Sequence, residues 1–105
     1  MSPKPGEAWL ADLGLAAKTR PVVILSRDDP QAPRALVIYI PLTTQDRRSR
    51  YEIQLGNLRF LKEISVANIQ GIGSISVSRL QRRLGSLPAE TLERIKQAVR
   101  FALEL

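Results

Sequence analysis

Short apolar runs separated by polar or proline-containing segments make up most of this chain, a pattern typical of β-strands joined by turns. Residues 22–25 are β-branched or aliphatic at every position, which predicts a strand buried on both faces. Residues 28–33 hold two prolines and two aspartates and predict a loop before the next apolar run, 36–42. The same criteria predict further strands at 6–13, 51–55, 64–70, 74–77 and 82–84, the last ending at Gly85.

The C-terminal segment has a different period, which predicts a helix over residues 88–103. Pro88 fits the first helical turn, and Glu90 and Glu93 suit its positive end. Many short strands followed by one helix predict a mostly β fold, either a small barrel or a strongly bent sheet. The apolar residues that recur at helical spacing are Leu92, Ile95, Val99, Ala102 and Leu103.

The length and composition restrict the chemistry that the protein can perform. A chain of 105 residues is expected to form one domain, residues 1–105. It has no cysteine and no histidine, which excludes disulfides, thiolate metal sites and the commonest general base. A carboxylate-only magnesium site stays open, although the ten acidic residues are spread thinly along the chain, and no cofactor is expected. Residues 1–6 lack the apolar core of a signal peptide, and the longest uncharged run, 64–78, is too short to span a bilayer, so a cytoplasmic location is expected.

The positive charge is concentrated in the middle of the chain. Residues 47–83 hold eight basic and two acidic side chains, an excess equal to the whole net charge of +6. Such a segment favours contact with a polyanion or with an acidic protein segment. An ordinary solvated basic surface is the alternative, and charge alone does not decide between them.

Arg20 and Thr43 are the residues whose chemistry and position suggest a site. If residues 20–26 and 34–43 pair as an antiparallel hairpin with residue 26 opposite residue 34, Arg20 lies opposite Ile40. Thr43 then lies at the same end of the sheet, with the two backbones about 10 Å apart. The alternative is a solvated charge at a strand start, which Pro21 would favour, and a threonine that is simply a good strand former.

Three blocks of sequence carry a resemblance to a known family. They are Gly6-Glu7-Ala8-Trp9, Arg20-Pro21-Val22-Val23-Ile24-Leu25-Ser26 and Pro41-Leu42-Thr43-Thr44-Gln45. With these blocks in this order, the chain resembles the MazF/PemK toxins of toxin–antitoxin modules. The resemblance implies an SH3-like β-barrel with added helices, a homodimer, inhibition by a cognate antitoxin protein, and a metal-independent, sequence-selective endoribonuclease activity. It also implies that Arg20 and Thr43 are the catalytic residues, with Thr44 as the alternative hydroxyl.

The endoribonuclease hypothesis predicts how the chain would hold single-stranded RNA. The substrate supplies its own nucleophile, the 2′-hydroxyl, and Arg20 would stabilise the charge that develops on the phosphate. We expect Trp9 and Phe101 in the core. The expected RNA-binding residues are the bases Arg47, Arg48, Arg50, Arg82 and Arg83 and the aromatic residues Tyr51 and Phe60.

A non-catalytic function is the competing hypothesis. The barrel could bind an antitoxin or nucleic acid without chemistry, or act as a CcdB-like poison of DNA gyrase. Arg20 would then be dispensable, and the C-terminal helix would matter more than the surroundings of Thr43.

Overall fold

Most of the predicted elements are present in the computed structural model, which describes residues 2–14, 16 and 18–105. The prediction of a mostly β fold with a C-terminal helix is confirmed, although Gly85 lies inside the last strand and does not end it. The described residues form strands β1 (Glu7–Asp12), β2 (Thr19–Ile24), β3 (Leu36–Thr43), β4 (Glu52–Gln54), β5 (Val66–Asn68), β6 (Gly73–Ser76) and β7 (Leu80–Ser86), 3₁₀ turns at Ile69–Gly71 and Val77–Arg79, and helix α1 (Ala89–Leu103).

The strands form one antiparallel sheet in which β3 has the central position. The order is β4-β5-β3-β2-β1-β7, and β6 joins as a further partner of β3. The first half of β3 pairs with β6, its middle with β2 and its last two residues with β5. Because β3 changes partner along its length, the sheet bends around it, which is compatible with a barrel-like fold.

The register between β2 and β3 differs from the predicted one. Val23 lies opposite Ile40, so the predicted pairing of Arg20 with Ile40 is wrong. Continuing the observed register by two residues beyond Val22 brings Arg20 level with Thr43. At the other end of the hairpin, the N–H groups of Leu25 and Ser26 both donate to the Ile38 carbonyl, at 2.9 and 3.3 Å, which forms a bulge. This bulge ends the pairing early and lengthens the predicted loop.

Two hydrophobic clusters lie on the two faces of β2, which confirms that this strand is buried on both faces. Val23 packs with Ile40 and with Ile95 of α1 in one cluster. Val22 and Ile24 pack in the other. Core packing therefore holds β2 at Val22, Val23 and Ile24, and Arg20 lies at the exposed start of the same strand.

Gly85 gives a prediction about stability. Gly85 pairs with Ala8 of β1, and a β-carbon at this position would overlap the ring of Phe60. We expect Gly85→Ala to destabilise the fold by about 1–3 kcal/mol, because the ring must leave its place against the core. Urea unfolding measures the change, with Ser74→Ala on the exposed part of β6 as the control. An unchanged unfolding midpoint for Gly85→Ala would contradict this packing.

Candidate active site

Arg20 and Thr43 line one cleft at the end of the β2–β3 pair, as predicted. The cleft has a volume of about 440 Å³, and we call it the arginine–threonine cleft. Arg20 is exposed, whereas Thr43 is half-buried. The other residues that line it are Leu13, Pro41, Leu42, Thr44, Gln45 and Asn68.

The Thr43 hydroxyl is held by the chain that follows it. Its Oγ1 accepts a hydrogen bond from the Gln45 backbone N–H at 3.1 Å. With one lone pair engaged in this way, the hydroxyl is suited to donate its proton to an anionic oxygen placed in the cleft. Arg20 contributes a permanent positive charge in a planar fork of donors. The two groups thus have the chemistry that binding a phosphate-like anion requires.

A second cleft adjoins the first and holds two more of the predicted residues. It has a volume of about 430 Å³ and includes Arg47 and Tyr51. We call it the amide cleft, after the side chains of Gln45, Asn68 and Gln70 that line it. The remaining residues that line it are Thr43, Ser49, Glu52 and Gly71. Because Thr43 lines both clefts, a ligand bound at Thr43 can extend directly into the second one.

Two carboxylates shape the loop 44–51, between β3 and β4, on one side of the amide cleft. Glu52 accepts hydrogen bonds from Ser49, through the backbone N–H and Oγ at 3.0 Å, and from the Arg47 N–H at 3.1 Å. Asp46 accepts from Gln54 Nε2 at 3.0 Å and from the Arg48 N–H at 2.8 Å.

These hydrogen bonds stabilise the charged forms and weaken both carboxylates as bases. The pKa of Glu52 lies below its ordinary value, mainly because of the Ser49 N–H. The pKa of Asp46 is also lowered, first by Gln54 and then by the Arg48 N–H. Although both acids lie close to Thr43 in the chain, their observed contacts are hydrogen bonds that stabilise the loop.

The hydrogen bonds of Glu52 predict how the stability of the protein depends on pH. Its pKa is lowered on folding from an ordinary value of 4.5, so its contribution to stability is complete above that pH. The contribution is lost as the pH falls through the folded-state pKa. Thermal unfolding should therefore separate the unmodified protein from Glu52→Gln at pH 7, and the difference should vanish in acid. Glu63→Gln, an exposed carboxylate elsewhere, is the control; a difference between the unmodified protein and Glu52→Gln that persists at low pH would contradict the assignment.

Arg50 and Tyr51 contact the end of the helix. The Arg50 guanidinium carbon lies 3.6 Å from the centre of the Phe101 ring, and the Tyr51 ring centre lies 5.4 Å from it. Phe101 is 38% exposed, so its predicted place in the core is wrong, whereas Trp9 is buried as expected. The Phe101 ring instead makes a cation–π contact with the Arg50 guanidinium. Arg50 thus lies on Phe101 and is not among the residues that line the amide cleft.

The remaining predicted RNA-binding residues lie apart from Thr43 to different degrees. Phe60 and Arg82 line a third cleft of about 450 Å³, which Thr44 also lines, and Phe60 packs against the core and Gly85. Arg83 is engaged with Glu7 at 3.0 Å. Arg48 has a left-handed backbone, with φ of 57°, and lines none of the three clefts. Arg47 and Tyr51 are therefore the predicted RNA-binding residues that share a cleft with Thr43.

Sequence reasoning missed the carboxamides. Gln45 follows Thr43 and Thr44 directly, so its nearness could have been inferred from the motif. Asn68 and Gln70 reach the site through the pairing of β5 with β3 and β4 and through the following 3₁₀ turn. No local pattern in the sequence reports that pairing.

The described residues lack two further features, an acidic metal site and a membrane-spanning helix. Residues 2–14, 16 and 18–105 contain no group of three or more acidic side chains placed to hold a metal ion. Over the same residues, no helix has the length and apolar character needed to cross a membrane.

Comparisons with known proteins extend over nearly the whole chain. The chain is 32% identical over 104 residues to a Mycobacterium tuberculosis protein named probable endoribonuclease MazF5, covering 97% of this chain and 94% of that protein. The structure of the toxin MazF-mt6 from the same organism superposes with a TM-score of 0.82 at 28% identity, covering 94% of this chain and 97% of that one.

A solved toxin–antitoxin complex and a family match also relate the chain to toxins of this kind. An endoribonuclease from a mycobacterial species, solved with its cognate antitoxin, gives a TM-score of 0.85 at 26% identity over 99% of this chain and 97% of that one. These likenesses confirm the expected MazF-like fold. Residues 4–103 match the family described as PemK-like, MazF-like toxins of type II toxin–antitoxin systems. Since this match spans nearly the entire sequence, the chain belongs to the PemK-like, MazF-like family of type II toxin–antitoxin toxins.

Proposed function

We propose that this toxin is a metal-independent, sequence-selective endoribonuclease that cleaves single-stranded RNA through attack of the 2′-hydroxyl. The observation that carries the proposal is the arginine–threonine cleft, in which Arg20 and Thr43 line one open space next to a second cleft that holds Arg47. The names of two similar proteins, an endoribonuclease and a probable endoribonuclease, support it.

The reaction needs no nucleophile from the protein. The 2′ oxygen forms a bond to the adjacent phosphorus while the bond from phosphorus to the 5′ oxygen breaks. The products are a 2′,3′-cyclic phosphate and a free 5′-hydroxyl, and the proton released by the 2′-hydroxyl balances the proton gained by the 5′ oxygen. What the protein must supply is an in-line geometry and stabilisation of the charge on the phosphate.

Arg20 and Thr43 have different roles in holding the phosphate and stabilising its charge. Arg20 binds the non-bridging phosphate oxygens with its donor fork and stabilises their growing charge; it keeps its own proton throughout. Thr43 donates a hydrogen bond from its hydroxyl to a phosphate oxygen and keeps its proton, while the Gln45 N–H fixes the position of Oγ1. Thr44 lies on the same cleft wall but is exposed, so Thr43 is the better-ordered hydroxyl.

The neighbouring basic residues extend the RNA site along the surface. Arg47 lies in the amide cleft, and Arg50 lies over the ring of Phe101, which contacts Tyr51. Each phosphate that such a residue neutralises steepens the salt dependence of binding, with a slope of about −0.7 per contact on a single strand. Arg48, Arg82 and Arg83 supply the wider positive field.

The same surface suits control by an antitoxin. The family pairs such toxins with antitoxin proteins, and one similar endoribonuclease was solved in complex with its own. We propose that a homodimer of this chain acts in the cytoplasm, and that an acidic antitoxin segment covers the clefts and blocks RNA. The basic segment 47–83 provides the complementary charge.

One observation favours the competing hypothesis of a non-catalytic toxin. The end of the chain exposes Phe101, Leu103 and Leu105, at 38%, 50% and 82%, an apolar group that a CcdB-like gyrase poison would use to bind its target. In that case toxicity would survive Arg20→Ala and would be lost on removal of the last three residues.

Cleavage of RNA in excess EDTA tests the proposed function. The purified protein should cut single-stranded RNA at defined sequences, and end-group analysis should find a 2′,3′-cyclic phosphate and a 5′-hydroxyl. Products with a 5′-phosphate, or cutting that EDTA abolishes, would contradict the mechanism. Intact RNA under all conditions would favour the non-catalytic alternative.

A further inference from the structure

The amide cleft contains three side chains that the proposed chemistry does not use. Gln45, Asn68 and Gln70 each carry a carboxamide, and all three line this cleft. Within residues 2–14, 16 and 18–105 none of these carboxamides makes a hydrogen bond. By contrast, the carboxamide of Gln54 on the neighbouring strand donates to Asp46 at 3.0 Å. Three carboxamides without partners in one cleft provide donors and acceptors for a ligand.

The shape and charge of the cleft indicate what that ligand is. A neutral carboxamide offers one acceptor and two donors, which match the edges of nucleobases, and it adds no charge that would attract phosphate. The ring of Tyr51 on the same cleft gives a flat apolar surface against which a base can stack. Arg47 supplies a cation for the backbone phosphate next to it. The set therefore fits one unpaired nucleotide.

We infer that the amide cleft reads the base directly next to the cleaved phosphodiester, and that Asn68 and Gln70 are the residues that select it. The inference rests on the proposed function, because it places the scissile phosphate at Arg20 and Thr43. Thr43, Gln45 and Asn68 line both clefts, so a nucleotide bound in the amide cleft is adjacent to that phosphate. The cleft is thus a source of sequence selectivity.

Asn68 is the best-positioned of the three carboxamides. It is half-buried at the end of β5, opposite Glu52 of β4, whereas Gln45 and Gln70 are exposed. A short, half-buried side chain loses less conformational freedom on binding than a long exposed one. The nearby backbone also leaves room for it, since a β-carbon at Gly71 would lie 3.1 Å from Asn68 Nδ2 and 2.5 Å from Pro41 Cγ. Gly71 therefore keeps the space beside the amide open.

Changing the hydrogen-bonding pattern of the cleft tests the inference. Oligonucleotides carrying each of the four bases at each position flanking the cut would be cleaved in EDTA by the unmodified protein, Asn68→Asp and Gln70→Glu. A carboxylate only accepts hydrogen bonds, so the preference at one flanking nucleotide should move toward guanine, whose N1–H and N2–H groups present two adjacent donors on one edge. Relative to the other bases, cleavage at the original base should fall roughly tenfold or more.

The controls separate recognition from general damage. An added negative charge slows cleavage of all four substrates, so the measured quantity is the ratio among bases within each variant. Gln81→Glu makes the same chemical change on the exposed face of β7 and should leave that ratio unaltered. Gln70 is exposed, so Gln70→Glu provides a folded variant even if Asn68→Asp is unstable.

The possible outcomes distinguish failure of this inference from failure of the proposed endoribonuclease function. Cleavage with the same base profile in Asn68→Asp and Gln70→Glu as in the unmodified protein would overturn the inference and leave the endoribonuclease proposal standing. The same holds if the unmodified protein shows no preference at the flanking nucleotides. A protein that cuts no RNA would overturn both.

Discussion

Arg20→Ala should reduce the rate of RNA cleavage by roughly 10²–10³-fold, because it removes the charge that faces the phosphate in the transition state. Arg20 is exposed at the start of β2, and the strand is held by buried residues farther along, so the variant should fold normally. Arg20→Lys keeps the charge but loses the planar fork of donors, and its rate should lie between the two. Single-turnover cleavage of an oligonucleotide measures all three proteins.

The control for this experiment lies beyond the opposite end of the same strand. Arg27 is also exposed and follows β2 where the chain enters the loop before β3. Arg27→Ala lowers the total charge equally, so it separates loss of the site from loss of general attraction to RNA. If Arg27→Ala and Arg20→Ala slow cleavage to the same extent, Arg20 has no special role.

Thr43→Val should slow cleavage by roughly 10- to 100-fold, which corresponds to the loss of one hydrogen bond to a charged group. Valine keeps the shape of threonine and suits a strand, so β3 and its pairing with Val66 should persist. The Gln45 N–H also loses its acceptor, and this adds to the disorder beside the phosphate. Thr43→Ser restores a hydroxyl at the same place and should recover most of the rate.

Thr44→Val distinguishes the two adjacent hydroxyls. Thr44 lines the arginine–threonine cleft and also the third cleft, but it lies one residue beyond the end of β3 and is exposed. We expect only a small effect on cleavage from this change. A larger loss in Thr44→Val than in Thr43→Val would assign the catalytic hydroxyl to Thr44.

Hydrophobic patterning predicted the strands and the helix well because burial leaves a direct trace in the sequence. The uninterrupted run at residues 22–25 correctly indicated a strand with a core on each face. The helix prediction also held, since Ile95 and Val99 recur at the spacing that packing on a sheet requires. Phe101 is an exception, because its ring contacts the Arg50 guanidinium and is not buried in the core.

The site depended on features that the sequence does not display locally. The end of the sheet shared by Arg20 and Thr43 was predicted, but the register between their strands was wrong by three residues. That register depends on where the loop between β2 and β3 begins and ends, and the bulge at Leu25 and Ser26 is a backbone feature that no apolar pattern reports. The nearness of Asn68 follows from the pairing of β5, a contact between distant parts of the chain. Composition likewise placed the positive charge in residues 47–83 without showing that Arg83 is engaged by Glu7.

The most direct test of the account is a double-mutant cycle on the rate of cleavage with Arg20→Ala, Thr43→Val and the two changes combined. If the guanidinium and the hydroxyl bind the same phosphate, each loses much of its value when the other is absent. The account predicts that the double variant is much less impaired than the product of the two single losses. A double variant whose loss equals that product would show that the two residues act independently, and it would contradict the shared site.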